Sequence, residues 1–135
     1  ELREGERVPF SAVERVRPLA DQAEFLLFHT GWGRYWGTER YFGDYPCIDQ
    51  GIVDYLLQSG KKGVGLDTIG VDPIADAYLS IHRRLFQDHD LVVMENLANL
   101  DQIGDGLFTL FALPLRYQDA DGSPIRAVAV LDGEE

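Results

Sequence analysis

Residues 76–95 read DAYLSIHRRLFQDHDLVVME. The apolar spacing in the first part predicts a helix over Asp76–Gln87, and the valine-rich end predicts a strand over Leu91–Glu95. A helix that runs through a short polar turn into a strand folds back on itself. An inward-facing side chain at His82 can therefore approach one at the strand's end, Glu95. This unit points to an α/β fold.

The segments before this unit continue the alternation of helices and strands. Arg34–Pro46 is rich in aromatic residues and glycine and predicts a structured loop. The elements predicted upstream are a helix over Ala12–Arg17 with a capping box of Ser11 and Glu14 and a stop at Pro18, a strand over Glu24–Phe28, a helix over Ile48–Gln58 closed by Ser59-Gly60, and a strand over Val64–Asp67.

The segments after the unit predict a hairpin. Gly106–Tyr117 and Ile125–Leu131 have strand character, and Asp119–Gly122 is a turn signal between them. Helices that alternate with strands in the middle, and antiparallel pairing at the end, predict an α/β fold with a mixed sheet and flanking helices. We expect residues 1–135 to form a single domain.

Composition limits the classes of function. The chain has 135 residues, 45% of them hydrophobic, and a net charge of −11, which argues against nucleic acid and anionic membrane surfaces as partners. The single cysteine, Cys47, cannot form an internal disulfide, so we expect a cytoplasmic protein. Neither a membrane-spanning apolar run nor a signal segment is evident. The chain opens at Glu1 and its only methionine is Met94, so we expect further residues upstream.

His82 and Glu95 are the candidate metal ligands, since imidazole and carboxylate together suit zinc or manganese. The more common interpretation is a helix-surface histidine and a solvent-facing strand end, because no HExxH-like motif is present. A catalytic zinc normally holds three protein ligands, and this pair supplies two. His29 ends a strand and could face a cleft, whereas His89 lies in a polar turn.

Three other features have simpler alternatives. Gly60–Gly65 resembles a phosphate loop but follows a helix and precedes a strand, so a tight connection is favoured. The aromatic residues Trp32, Tyr35 and Trp36 form either a wall for an aromatic substrate, which we slightly favour, or a core and dimer contact. Cys47 has no base beside it in sequence, which disfavours a nucleophile.

An ordered series of segments resembles the cyclase family, which includes bacterial kynurenine formamidases and isatin hydrolases. Seven segments occur in order between residues 24 and 131, which covers nearly the whole chain. They are Phe28-His-Thr-Gly-Trp32; Tyr45-Pro46; Gly63-Val-Gly-Leu-Asp-Thr68 with Val71-Asp72; Ile81-His-Arg-Arg-Leu85; Val92-Val-Met-Glu-Asn-Leu97 with Asn99-Leu-Asp101; Phe111-Ala-Leu-Pro-Leu115; and Asp121-Gly-Ser-Pro-Ile-Arg-Ala127.

The resemblance implies a barrel-like mixed sheet, a homo-oligomer, and a divalent metal, zinc or manganese, that activates water to cleave an amide or cyclic amide of a small, aromatic substrate. In the family the histidine and glutamate of the fourth and fifth segments are metal ligands, and these positions are His82 and Glu95. The metal would lower the pKa of bound water and polarise the carbonyl under attack.

The chain departs from the family at its beginning. The family's His-x-Gly-Thr-His-x-Asp-x-Pro-x-x-His stretch, which supplies most ligands and the catalytic base, lies upstream of the strand that corresponds to residues 24–28. Residues 1–23 do not resemble it. We therefore expect the C-terminal part of a hydrolase domain, incomplete at its N-terminus. The alternative is a non-catalytic remnant or oligomerising module of the same fold.

Overall fold

The computed structural model describes residues 1–87 and 90–131. The prediction for His89 lies outside these residues. Contacts divide the chain into two compact units, Glu1–Gln102 and Ile103–Glu135, and each is described by itself.

The first unit carries alternating strands and helices. A parallel sheet lies at its centre, and short helical turns follow the second strand. Its elements are β1 (Arg7–Val8), α1 (Ser11–Arg15), α2 (Arg17–Gln22), β2 (Phe25–Phe28), 3₁₀ turns over Trp32–Tyr35 and Glu39–Phe42, β3 (Cys47–Ile48), α3 (Gln50–Gln58), β4 (Gly63–Leu66), α4 (Ser80–Phe86), β5 (Val92–Met94) and a 3₁₀ turn over Leu100–Gln102.

Strands β2, β4 and β5 form the central sheet in the order β2-β4-β5, and both pairings are parallel. Helix α4 connects β4 to β5, so residues 76–95 supply the helix and the second strand of a β-α-β unit. The apolar face of α3, with Ile52 and Leu56 fully buried, packs in one core with Leu66 of β4 and with Ile81 and Leu85 of α4. This core holds α4 at a fixed position beside the ends of the strands.

A glycine at the start of β4 permits the tight pairing of the sheet. A Cβ atom on Gly63 would lie 2.4 Å from the carbonyl oxygen of Val92 and 2.5 Å from the ring of Phe25. Only a residue without a side chain fits between the neighbouring strand and that ring.

Three predicted helix boundaries are wrong. Pro18 does not end a helix; it lies in the first turn of α2, where its missing N–H is not needed. The predicted capping box is absent: Ser11 lies inside α1, whose cap position, Phe10, makes no side-chain cap bond. Helix α3 begins after Asp49, which accepts from the backbone N–H of Ile52.

The helix that carries His82 is also shorter than predicted. It begins at Ser80, because Leu79 has a left-handed φ of 54° and interrupts the helix expected from Asp76. The strand that follows it covers Val92–Met94, inside the predicted range.

The second unit is a hairpin, as predicted. Strands β6 (Thr109–Pro114) and β7 (Ile125–Val130) pair antiparallel, from Thr109 with Val130 to Pro114 with Ile125. The connection spans residues 115–124 and contains the expected turn at Asp119, which has a φ of 55°.

The α/β class is confirmed, whereas each described sheet is either parallel or antiparallel and none is mixed. Within residues 1–87 and 90–131 the strands form three separate sheets, and a closed barrel is not among them. The described helices include none that is long and apolar enough to cross a membrane.

Candidate metal centre

The three central strands bring polar residues to one edge of the sheet. His29 follows β2, Asp67 follows β4 and Glu95 follows β5. Because the strands are parallel, their carboxyl ends meet at the same edge, where ligands commonly bind in open α/β sheets. The side chain of Glu95 is 33% exposed, so its carboxylate is accessible there.

Asp72 fixes the beginning of α4. Its side chain is 1% exposed, and its two oxygens accept from the backbone N–H of Ile81, at 2.5 Å, and of His82, at 3.1 Å. These N–H groups belong to the first turn of the helix, where no intrahelical partner exists. The carboxylate therefore replaces the missing cap at Leu79 and lies where the helix dipole favours an anion.

The same carboxylate also orients the imidazole of His82. Oδ2 of Asp72 lies 2.5 Å from Nδ1 of His82, so the ring donates from Nδ1 to Asp72. The other ring nitrogen, Nε2, lies 3.1 Å from Oε1 of Glu95. The helix–strand unit thus brings its two predicted residues together, with a buried carboxylate behind the histidine.

The two carboxylates change the protonation of the imidazole. The hydrogen bond with Glu95 raises the pKa of His82 most, burial opposes it, and the hydrogen bond with Asp72 raises it further. The carboxylates of Asp72 and Glu95 therefore favour positive charge at His82. This charge can be a proton on the imidazole or a metal ion bound beside it.

The donor set fits a divalent metal. Two ligands of a tetrahedral zinc lie about 3.3 Å apart, given metal–ligand distances of about 2.0–2.1 Å. The 3.1 Å between Nε2 of His82 and Oε1 of Glu95 matches that edge. A histidine ligand usually donates its second N–H to a carboxylate, which is the role of Asp72. Among residues 1–87 and 90–131, no group of three or more His, Cys, Asp and Glu is arranged to hold a metal ion.

Asp67 has a structural role in the loop after β2. Its buried carboxylate accepts from the backbone N–H groups of Thr30 and Gly31, both at 2.9 Å, and from the hydroxyl of Thr30 at 2.6 Å. Its Oδ2 lies 3.9 Å from Nε2 of His29. Asp67 thereby holds the loop that leads into the aromatic segment.

The three aromatic residues predicted to bind substrate lie in different environments. Trp32 is 1% exposed, and its indole N–H donates to the carbonyl of Tyr41 at 3.1 Å. Tyr35 is half-buried and packs edge-on against Trp32, with ring centroids 4.8 Å apart. Trp36 is 67% exposed. The indole of Trp36 is thus the most accessible of the three rings.

Two weaker candidates resolve into structural roles. The Gly60–Gly65 segment connects α3 to β4, and Lys61 donates to the carbonyls of Ala20 and Ala23 at the end of α2. Cys47 is buried, and burial raises the pKa of its thiol to about 12, so the thiol stays protonated. The predicted tight connection between helix and strand at Gly60–Gly65 is confirmed.

Asp72 is the site residue that sequence reasoning missed. It lies in an irregular segment between β4 and α4, where no periodicity applies. The available signal was an acidic residue in the Val71-Asp72 pair of the family resemblance, four positions before the predicted helix start at Asp76.

The sequence is similar to known proteins of cyclase type. The Cyclase family model, described as "Putative cyclase", matches residues 9–73. Kynurenine formamidase from Bacillus anthracis is 42% identical over 83 residues, which are 62% of this chain and 39% of that protein. The chain is similar to the cyclase family over these residues. It spans about two fifths of the length of the curated relatives it matches.

Two solved structures of cyclase type share the fold. An isatin hydrolase bound to the product analogue thioisatinate superposes with a TM-score of 0.75 and 23% identity, over 96% of this chain and 55% of that chain. A potential metal-dependent hydrolase with cyclase activity superposes with a TM-score of 0.65 and 22% identity, over 92% of this chain and 58% of that chain. At these identities the likeness shows the fold.

Proposed function

We propose that the protein to which this chain belongs is a metal-dependent hydrolase that cleaves an amide or cyclic amide of a small aromatic substrate. The observation that carries the proposal is the series Asp72, His82 and Glu95. In it a buried carboxylate orients the imidazole, and the free ring nitrogen lies 3.1 Å from a second carboxylate. The similarity to kynurenine formamidases, 42% identical over 83 residues, supports the reaction class.

Each residue has a distinct task in this proposal. His82 and Glu95 would hold the metal, zinc or manganese, through Nε2 and Oε1. Asp72 keeps Nδ1 protonated, so that the lone pair of Nε2 stays available. When bound, the metal would supply a water of lowered pKa and polarise the carbonyl that is attacked. The remaining ligands and the catalytic base would come from a part of the fold outside this chain.

The aromatic segment is the proposed wall for the substrate. Trp36 offers an exposed indole, and its ring packs edge-on against Tyr41 at 5.0 Å. Tyr35 and the buried Trp32 would support that wall from behind. The barrel-like sheet, the homo-oligomer and the cytoplasmic location stay predictions for the longer protein.

The direct test uses the full-length protein. It is loaded with zinc or manganese and assayed with N-formylkynurenine, isatin and a panel of aryl amides and cyclic amides. Metal-dependent turnover of at least one of them is expected. If the loaded protein hydrolyses none of these compounds, the proposal fails for this protein.

The alternative is a non-catalytic module of the same fold. It is favoured by the fact that the described residues hold no group of three metal ligands. The sequence upstream of Glu1 discriminates between the two. An in-frame Gly-Thr-His-x-Asp stretch upstream would favour the hydrolase. Mass spectrometry of the purified assembly would reveal whether a separate chain supplies the remaining metal ligands.

A further inference from the structure

Glu95 lies directly before a residue with unusual backbone geometry. Asn96 has a left-handed φ of 58°, which is uncommon for residues other than glycine and least costly for asparagine and aspartate. The turn is anchored at the C-terminal end of β4, since the N–H of Asn96 donates to the carbonyl of Thr68 at 2.8 Å and the N–H of Leu97 to that of Leu66 at 3.0 Å. The direction of the chain at Glu95 therefore depends on Asn96.

The side chain of Asn96 is held by the aromatic segment. The hydroxyl of Tyr41 donates to Oδ1 of Asn96 at 2.7 Å. Tyr41 is 1% exposed, and burial, followed by the charges of Asp67 and Glu95, raises its pKa to about 12, so it remains a donor at neutral pH. Its ring is fixed by Trp36 and Phe42, whose centroids lie 5.0 and 5.6 Å away.

We infer that Tyr41 and Asn96 are positioning residues that aim the carboxylate of Glu95 at Nε2 of His82. Because Trp36 packs on the same tyrosine, this contact also links the aromatic segment to the metal pair. The metal role of the pair rests on the proposed function, whereas the positioning of Glu95 rests on the contacts alone. A tyrosine that only filled the core would pack equally well without its hydroxyl.

The test compares variants of the full-length protein by two readouts. The first is the set of imidazole ¹⁵N resonances of His82, recorded without metal at one fixed pH, with Glu95→Gln as the reference for a lost carboxylate contact. The second is zinc affinity by calorimetry. Tyr41→Phe and Asn96→Gly should each move the His82 resonances toward those of Glu95→Gln and weaken zinc binding by roughly 10-fold, the low end for groups that support a ligand.

Asn96→Gly keeps the left-handed backbone and removes only the acceptor, whereas Asn96→Ala also disfavours that backbone. Asn96→Ala should therefore weaken zinc binding more than Asn96→Gly. The double variant Tyr41→Phe/Asn96→Gly should be no worse than either single variant, because both remove the same bond.

The matched control is Tyr55→Phe. Tyr55 is also buried, and its hydroxyl contacts Asp21 at 2.7 Å, in a different part of the unit. Tyr55→Phe should lower the free energy of unfolding about as much as Tyr41→Phe does. It should leave the His82 resonances and the zinc affinity unchanged. If Tyr41→Phe and Asn96→Gly leave the His82 resonances as in the unmodified protein, the inference is overturned. If the unmodified protein binds no zinc, the proposed function fails, and the resonances still decide the positioning of Glu95.

Discussion

Nδ1 of His82 lies 2.5 Å from Oδ2 of Asp72, a carboxylate that is 1% exposed. The same carboxylate accepts from two backbone N–H groups in the first turn of α4. One buried side chain thus both starts the helix and sets the orientation of its histidine. A substitution at Asp72 can therefore affect both the stability of α4 and the metal affinity of His82, and each effect can be measured by itself.

Asp72→Asn should weaken metal binding and also the start of α4. Each oxygen of Asp72 accepts from one helix N–H group, so the single amide oxygen can keep only one of these bonds, and Nδ1 of His82 loses its charged acceptor. We expect a loss of about 10–100-fold in zinc affinity, as for other partners of histidine ligands. Calorimetry with zinc and urea unfolding measure the two effects. Unaltered zinc affinity would remove Asp72 from the support of the site.

Asp67→Ala should destabilise the first unit. The change leaves the buried N–H groups of Thr30 and Gly31 without their acceptor, and a buried donor that loses its partner costs about 1–3 kcal/mol. Urea unfolding should therefore show a loss of about 2–4 kcal/mol. The control is Asp54→Ala, which removes a half-exposed carboxylate paired with Arg84 and should change stability by about 0–1 kcal/mol. Equal losses in both variants would contradict the role of Asp67.

Gly63→Ala should destabilise the central sheet. The new methyl group would lie 2.4 Å from the carbonyl oxygen of Val92, and overpacking of this kind costs about 1–3 kcal/mol. Gly106→Ala is the matched change, because no atom lies within 4 Å of its Cβ position. Thermal unfolding of both variants tests the prediction, and a Gly63→Ala protein as stable as Gly106→Ala would refute the close pairing.

Acid stability should depend on the contact of Asp21 with Tyr55. The hydrogen bond from Tyr55, and then that from Arg17, lowers the pKa of Asp21 below its usual 3.8. A lowered folded-state pKa contributes stability above the unfolded pKa, and this contribution is lost as the pH falls through the folded value. Tyr55→Phe should therefore flatten the fall of unfolding free energy between about pH 5 and pH 2. An identical pH dependence in both proteins would contradict this.

The elements that the sequence predicted best are those with strong local periodicity. The apolar face of α3 and the β4–α4–β5 order follow from residue spacing. The helix–turn–strand order allows His82 to approach Glu95, but the choice of this pair as metal ligands depended on the family resemblance. Strands β1 and β3 have two residues each, too few for a period of two to be visible. They were missed because only their parallel pairing, of Arg7 with Cys47 and of Val8 with Ile48, defines them.

The parts of the site that could not be predicted depend on contacts distant in sequence. Tyr41 reaches Asn96 across 55 positions, and no local pattern predicts such a contact. The prediction at Pro18 was wrong because proline breaks the interior of a helix but is well tolerated in the first turn of one. The sequence alone does not distinguish these two positions. Leu79, directly before α4, has a left-handed φ that leucine rarely adopts, so helix propensity predicted an earlier start than the one observed.

The central claim is that His82 and Glu95 hold a divalent metal. The most direct measurement is the metal content of the full-length protein and of its Glu95→Gln variant, by elemental analysis after purification without chelator. Glutamine keeps the shape of the side chain and removes its charge, so the fold should persist while bound zinc or manganese falls substantially. A Glu95→Gln protein that retains the full metal content would contradict the account.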